Sequence, residues 1–198
     1  MRRYVLFKPG IVKPCNELLI SKPHVILDSI IIRKNHEIEN REILRNIYKE
    51  ESNTYPKFYK MDALSQLAFA GASILDNRGI FRAWNKERVG LLFINSWGSL
   101  ESDMHHQKLI DTKNTAPSPS VFVYTLPNIL IGELCIYFGW NGENLFMIDN
   151  KFDRSEWLDM AQSWIENNAV DHVIGGWVEY YQNEMALQLI ILDKFCQP

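Results

Sequence analysis

The chain has 198 residues, 46% of them hydrophobic and 23% charged, enough for one domain with a substantial core and without a disorder signature. Its formal net charge is −3 and its 21 Lys and Arg are scattered rather than gathered into a stripe, which argues against a nucleic-acid partner. No apolar run approaches the roughly 20 residues that span a bilayer, and the Met-Arg-Arg-Tyr start leads into no long apolar stretch with a small-residue cleavage site, so neither a membrane span nor a signal peptide is expected and the cytoplasm is the default compartment.

Residues 4–7, Tyr-Val-Leu-Phe closed by Pro9-Gly10, have the composition of a short buried strand. An apolar run follows at 25–32, then a polar segment, 35–53, in which Ile38, Leu44, Ile47 and Tyr48 suggest a partly amphipathic helix. Residues 61–76 repeat Leu64, Leu67, Ala68, Gly71, Ile74 and Leu75 at helical spacing behind Asp62, an N-cap candidate, and this helix should pack on the sheet. The run 88–94, Arg-Val-Gly-Leu-Leu-Phe-Ile, reads as a fully buried strand ended by Asn95-Ser96-Trp97-Gly98-Ser99.

Residues 113–119 are polar and proline-containing, hence a loop. Pro127 suits the first turn of a helix that runs through Asn128 to Phe138, and Gly139-Trp140-Asn141-Gly142 ends it, because glycine takes the left-handed conformation at a C-cap. Residues 144–149 read as a third buried strand. Asp153 with Glu156 has the form of a capping box, ahead of an apolar face made by Trp157, Leu158, Ala161, Trp164 and Ile165. A fourth short strand, Asp171-His172-Val173-Ile174, is expected to stop at Gly175-Gly176, and 184–193 to form the closing strand. No internal repeat or low-complexity segment is present.

Cys15, Cys135 and Cys196 are an odd, widely spaced set without a Cys-x-x-Cys pair, which argues against a disulfide framework and a zinc site and predicts reduced thiols. Cys135 sits in a segment apolar on nearly every side, where a thiol acts as a small hydrophobe. Asp103, His105, His106 and Asp111 are the one ionisable cluster worth testing against a metal, but adjacent histidines diverge on a helix or strand, so a surface helix is expected and no metal. His24, His36 and His172 stand alone and read as structural or exposed. Trp84, Trp97, Trp140 and Trp177, near predicted loops, are either a contact surface or packing at element ends. No Gly-x-Gly-x-x-Gly or Walker-type sequence supports a nucleotide site, and no cofactor is implied.

The strand at 88–94 with its Gly-Ser loop, the Pro127-Asn128 helix, the Gly139–Gly142 turn, the double glycine and the last strand together resemble the N-terminal half of β-ketoacyl synthases, the thiolase-fold enzymes that extend acyl chains. The resemblance implies an α/β, thiolase-like fold: a single N-terminal-type half over residues 1–198, a mixed sheet of about five strands with helices on both faces, the last strand antiparallel, and the C-terminal half lacking. In the family a nucleophilic Cys follows the strand at 144–149; counting from Gly142 or from Gly175-Gly176 puts Asn150 or Lys151 there. Asn150 cannot carry an acyl group, an ionised Lys151 has no free lone pair, and the family's two catalytic histidines belong to the half this chain lacks. No catalytic residue is therefore assigned. The resemblance implies a non-catalytic subunit, similar to chain-length factors, that pairs with a full-length synthase in fatty-acid, polyketide or aryl-polyene biosynthesis, or self-associates, with acyl carrier protein as a further candidate partner. Asn150 and Lys151 would mark a pseudo-active site, and Pro127, Asn128, Phe138, Gly139 and Gly142 an acyl tunnel or interface. A small acyl-transfer or hydrolytic enzyme using Asp149, Asp153 or His172, and an interaction-only scaffold, are the other two readings.

Overall fold

The computed structural model describes residues 14–21, 24–34, 39–51, 54–112, 118–182 and 184–196. The strand expected at 4–7, Ile38 and His36 of the polar segment, and most of the loop at 113–119 lie outside them. Among the described residues seven strands form one sheet: β1 (Pro14–Ser21), β2 (His24–Leu27), β3 (Ile30–Lys34), β4 (Val89–Asn95), β5 (Asn144–Ile148), β6 (His172–Tyr181) and β7 (Glu184–Asp193), in the order β3-β2-β1-β7-β6-β4-β5. β4 is parallel to both β5 and β6, and β7 is antiparallel to β6 and to β1. The α/β mixed sheet and its antiparallel last strand match the expectation, while the count is seven rather than about five.

Of the seven, β1 was not foreseen, and β2 and β3 come from the apolar run at 25–32. It is a hairpin, broken by Asp28 and Ser29, whose φ values of 48° and 70° are those of a two-residue turn with left-handed central residues. Asp28 is held there because its carboxylate accepts from the Glu17 backbone N–H and from Asn16 Nδ2, each at 2.8 Å. Apolar residues on both sides of Asp28-Ser29 made the two strands read as one run.

Helices α1 (Asn40–Glu50), α2 (Ala63–Asn77) and α5 (Ile129–Phe138) cover one face of the sheet, and α6 (Arg154–Glu166) the other. α2 is nearly all buried, capped by Asp62 accepting from Ser65 N–H at 3.0 Å. A Cβ at Gly71 would lie 2.3 Å from Leu187 Cδ2, so glycine lets this helix settle onto β7. On the opposite face Trp157 is fully buried and its indole N–H donates to Leu92 O at 2.8 Å, pinning α6 to the middle of β4. α3 (Leu100–Asp111) and the short α4 (Pro119–Val123) follow β4. No helix among the described residues is long and apolar enough to cross a membrane.

Three expectations are corrected. β5 is not buried: among the described residues it is the sheet's edge, with Leu145 and Ile148 exposed and only β4 paired to it. β6 does not stop at Gly175-Gly176 but runs through them for ten residues. A Cβ at Gly175 would lie 1.8 Å from Leu92 O, and one at Gly176, where φ is 127°, 2.2 Å from Gln188 O. The double glycine is a close approach of three strands rather than a terminator. Finally, Cys15 and Cys196 are joined as a disulfide, with Cα atoms 6.3 Å apart, because antiparallel pairing of β1 with β7 sets Pro14 opposite Leu192 and brings the two thiols to one end of the sheet. Sequence separation concealed that proximity. Cys135 remains single and half-buried against the core, and burial pushes its thiol above the ordinary value.

Gly176→Ala is expected to lower unfolding stability by about 3 kcal/mol, read from the urea midpoint, since both a left-handed φ and a backbone oxygen oppose the methyl. Gly132→Ala on α5 meets nothing within 4 Å and should be neutral or stabilising by about 0.5–1 kcal/mol. Equal effects would contradict the close approach. A thiol titration of unreduced, denatured protein should find one free cysteine, and of reduced protein three.

Candidate functional site

Two loops meet at the carboxyl end of the parallel strands, where open α/β sheets place their ligands. The first, after β4, is closed on itself: Asn95 Nδ2 donates to Gly98 O at 2.8 Å and Gly98 N–H returns to Asn95 Oδ1 at 2.9 Å, with Asn95 fully buried. Gly98 is left-handed, with φ at 57°. Glu179, a buried residue of β6, accepts from the Ser96 N–H at 2.8 Å and from the Ser96 hydroxyl, which fixes the loop to the neighbouring strand. Trp97 at the loop's tip is 51% exposed and packs on Tyr181 at 4.9 Å. Ser99 Oγ donates to Thr125 O, tying the loop to the entrance of α5.

The second loop, residues 149–153, joins β5 to α6 and holds Asn150 and Lys151, both exposed. Asp149 N–H donates to Asn95 O at 2.9 Å, so the two loops start side by side. Asp153 caps α6, accepting from the N–H groups of Ser155 and Glu156 and from the Ser155 hydroxyl, and these hydrogen bonds hold its carboxyl below the usual range. An ionised, helix-capping carboxylate is a poor general base, and Ser155 is tied to it. Between Asp149 and Asp153 the turn carries no cysteine, serine or threonine.

The chain brings only some of the sequence-predicted site residues to this end. Pro127 and Asn128 lie there, at the entrance to α5, whose first residue is Ile129 rather than Pro127. Phe138, Gly139 and Gly142 lie at the other end of the sheet, roughly 15 Å away by the length of β5. Phe138 stacks on Trp140 at 4.4 Å, Gly139 is the left-handed C-cap with φ at 74°, and a Cβ at Gly142 would lie 2.4 Å from Val89 O. These three shape the entry to β4 and β5.

The residues proposed for other chemistry disperse too. Asp103, His105, His106 and Asp111 lie on α3 and form no metal-binding group among the described residues. His172 is buried beneath Trp84, whose ring stacks on it at 4.5 Å, with Nδ1 3.3 Å from Asp193 Oδ2. Burial depresses the His172 pKa, and Asp193 and Asp171 oppose this only in part. Trp140 is buried and Trp177 packs on Phe152, so of the four loop tryptophans Trp97 alone is strongly exposed.

Sequence reasoning missed a basin of about 540 Å³ on the α3 side, between α1, the turn at Pro56–Lys60, α3 and α4. In its wall Asp62 accepts from Ser102 Oγ at 3.1 Å as well as from Ser65, and burial raises its carboxyl pKa. Tyr124 donates to Glu133 at 2.8 Å, and the buried Glu133 pairs with Lys57 at 2.8 Å. Burial and then Glu133 push the Tyr124 hydroxyl well above its ordinary value. The sequence signal was present in α3, whose residues 101, 104, 105 and 108 share one face.

No protein-family model matches the chain, and no curated protein does. Solved structures do. The ishigamide ketosynthase/chain length factor superposes with a TM-score of 0.65 at 13% identity, covering 93% of this chain and 62% of that one. The fold is ketosynthase-like. The ketosynthase ApeO in complex with its chain length factor ApeC, from Xenorhabdus doucetiae, matches the ketosynthase-like chain at a TM-score of 0.61 and 10% identity, covering 93% and 79%. AntDE:AntF, a type II polyketide acyl-carrier protein in complex with its ketosynthase bound to the hexaketide, gives 0.56 and 13%, covering 93% and 62%. The chain thus spans about three fifths of the first of these structures.

Because the folded state disfavours the imidazolium of His172, its contribution to stability is present above the unfolded pKa of about 6.5 and is lost as pH falls through the lower folded value. The melting temperature should therefore drop from pH 7 to pH 5, and His172→Gln should flatten that drop. An unchanged slope in the variant would assign the acid loss elsewhere.

Proposed function

We propose that this chain is a non-catalytic, ketosynthase-like subunit of the chain-length-factor kind, which pairs with an active β-ketoacyl synthase in fatty-acid, polyketide or aryl-polyene biosynthesis. The observation that carries the reading is the combination at β5. Its open edge presents Leu145 and Ile148, 39% and 62% exposed, beside the exposed Trp97, and its following turn holds Asn150 and Lys151 in place of a nucleophile. An apolar, unpaired edge strand is a hazard that proteins cover, and a partner's edge strand satisfies both its backbone groups and its side chains. The structures it resembles include a ketosynthase with its chain length factor and a ketosynthase with an acyl-carrier protein, which supports a synthase as partner and a carrier protein as a further one.

In this reading residues 1–198 act as one unit equivalent to a synthase N-terminal half. Asn150 and Lys151 mark the vacated site, with Pro127 and Asn128 beside it. The unit works in the cytoplasm, where the Cys15–Cys196 bridge would exchange with reducing thiols. No cofactor or metal enters the role. The acyl-transfer or hydrolytic reading has less support, since Asp153 is engaged as a cap and His172 lies under Trp84.

Co-expression with a full-length synthase should yield a stable heterodimer on size exclusion. Leu145→Asp with Ile148→Asp should weaken the pair by tenfold or more, as expected of roughly 1.4 kcal/mol or greater at buried interface positions. A chain that stays monomeric beside that synthase contradicts the proposal. Incubated alone with acyl- and malonyl-carrier proteins, the chain should give no condensation, and Lys151→Ala should change nothing; turnover lost in that variant would restore an enzyme.

A further inference from the structure

The basin between α1, α3 and α4 has a charge imbalance that the partner-subunit role leaves unused. Lys60, at the end of the Pro56–Lys60 turn, and Lys108, on α3, both line it and are exposed. Neither has an ion-pair partner among the described residues, and the same holds for His105, one turn before Lys108. Arg41 of α1 adds a third cation to the rim, hydrogen-bonded to Tyr180 and offset in part by Asp62. The two acids in the lining are already engaged: Asp62 accepts from Ser65 and Ser102, and Glu101 faces the Gln182 N–H at 3.4 Å. In a chain of net charge −3, Lys60 and Lys108, without ion-pair partners at one concavity, leave it an excess of positive charge over Asp62 and Glu101 that favours an anion.

The rest of the wall selects what carries the anion. Tyr59, 48% exposed, is braced edge-on by Tyr48 and Phe58 at 5.4 and 5.6 Å, so its ring is held rather than free. Met61 and Met104 add two polarisable thioethers, which favour aromatic rings at their edges. The Tyr124 hydroxyl is fixed by Glu133 and Ser102 by Asp62, so the polar groups of the wall are set before any ligand arrives. A volume of about 540 Å³ lies within the usual range for small-molecule sites and suits a compact body rather than an extended chain.

We propose that this basin binds a small aromatic anion, an aryl phosphate or aryl carboxylate, with its acidic group between Lys60, Lys108 and Arg41 and its ring against Tyr59 and the two methionines. The site lies on the α3 side and is independent of pairing through β5, so either can fail without the other.

The test is a fluorescence titration of the purified chain with 2-naphthyl phosphate and with 2-naphthoate, against the neutral 2-methoxynaphthalene and inorganic phosphate. Saturable one-to-one binding is expected for at least one aryl anion, and the tighter of the two identifies the head group. The neutral analogue and inorganic phosphate should each bind at least about tenfold more weakly, since each lacks one half of the recognition. Lys60→Glu with Lys108→Glu should cost about tenfold or more with the melting temperature unchanged. If that pair fails to fold, Lys60→Gln with Lys108→Gln should still weaken binding severalfold. Absence of saturable binding by both anions, equal affinity for the neutral analogue, or folded charge variants that bind like the parent would overturn the assignment.

Discussion

Three backbones crowd together at Gly175 and Gly176, and the arrangement of the whole sheet follows from that contact. A side chain at Gly175 would collide with Leu92 O of β4, and one at Gly176 with Gln188 O of β7. With both absent, β6 runs straight through, parallel to β4 on one side and antiparallel to β7 on the other. That fixes the order of the four central strands and presents two apolar faces. α2 settles on one through the notch at Gly71, and α6 on the other through Trp157 and its bond to Leu92 O. Helices on both faces of a largely parallel centre are the stable way to bury such a sheet.

The same order decides where the sheet is left open. β4 can pair with β5 but nothing among the described residues pairs with β5 beyond it, so an apolar strand lies at the edge next to the turn at Asn150 and Lys151. In the proposed role, the pseudo-active site and the contact edge sit within a few residues of each other. The loop after β4 is locked by Asn95, Gly98 and the buried Glu179, so it presents Trp97 as a fixed side chain rather than a mobile one. The open edge, the turn after it and the locked loop thus share one piece of local structure.

Much of this was legible in the residues. Asp62 ahead of a helical repeat, Asp153 ahead of the Trp157 face, Gly139 after an apolar helix and the unbroken Val-Gly-Leu-Leu-Phe-Ile strand each carry a local signal, and each lies where that signal puts it. What was missed depends on neighbours distant in sequence. Gly175-Gly176 reads as a stop by local rules and becomes a crossing point only beside Leu92 and Gln188. Cys15 and Cys196 meet because β1 lies against β7, which no spacing rule foresees. The edge position of β5 is likewise a property of the sheet and not of the five residues, whose apolar composition reads as buried. At the candidate site the lack of a cysteine after β5 was visible in the sequence, whereas the basin beside α3 draws its wall from four separate segments and was not.

The central claim is that β5 is the seam with a synthase partner, and hydrogen exchange on the amides of Asn144–Ile148 tests it most directly. Mixed with a full-length synthase, the outward-facing amides of this strand should exchange more slowly, because a paired edge closes them to water while those already bonded to β4 change little. Unaltered exchange at β5 in a complex that protects another surface would contradict the account.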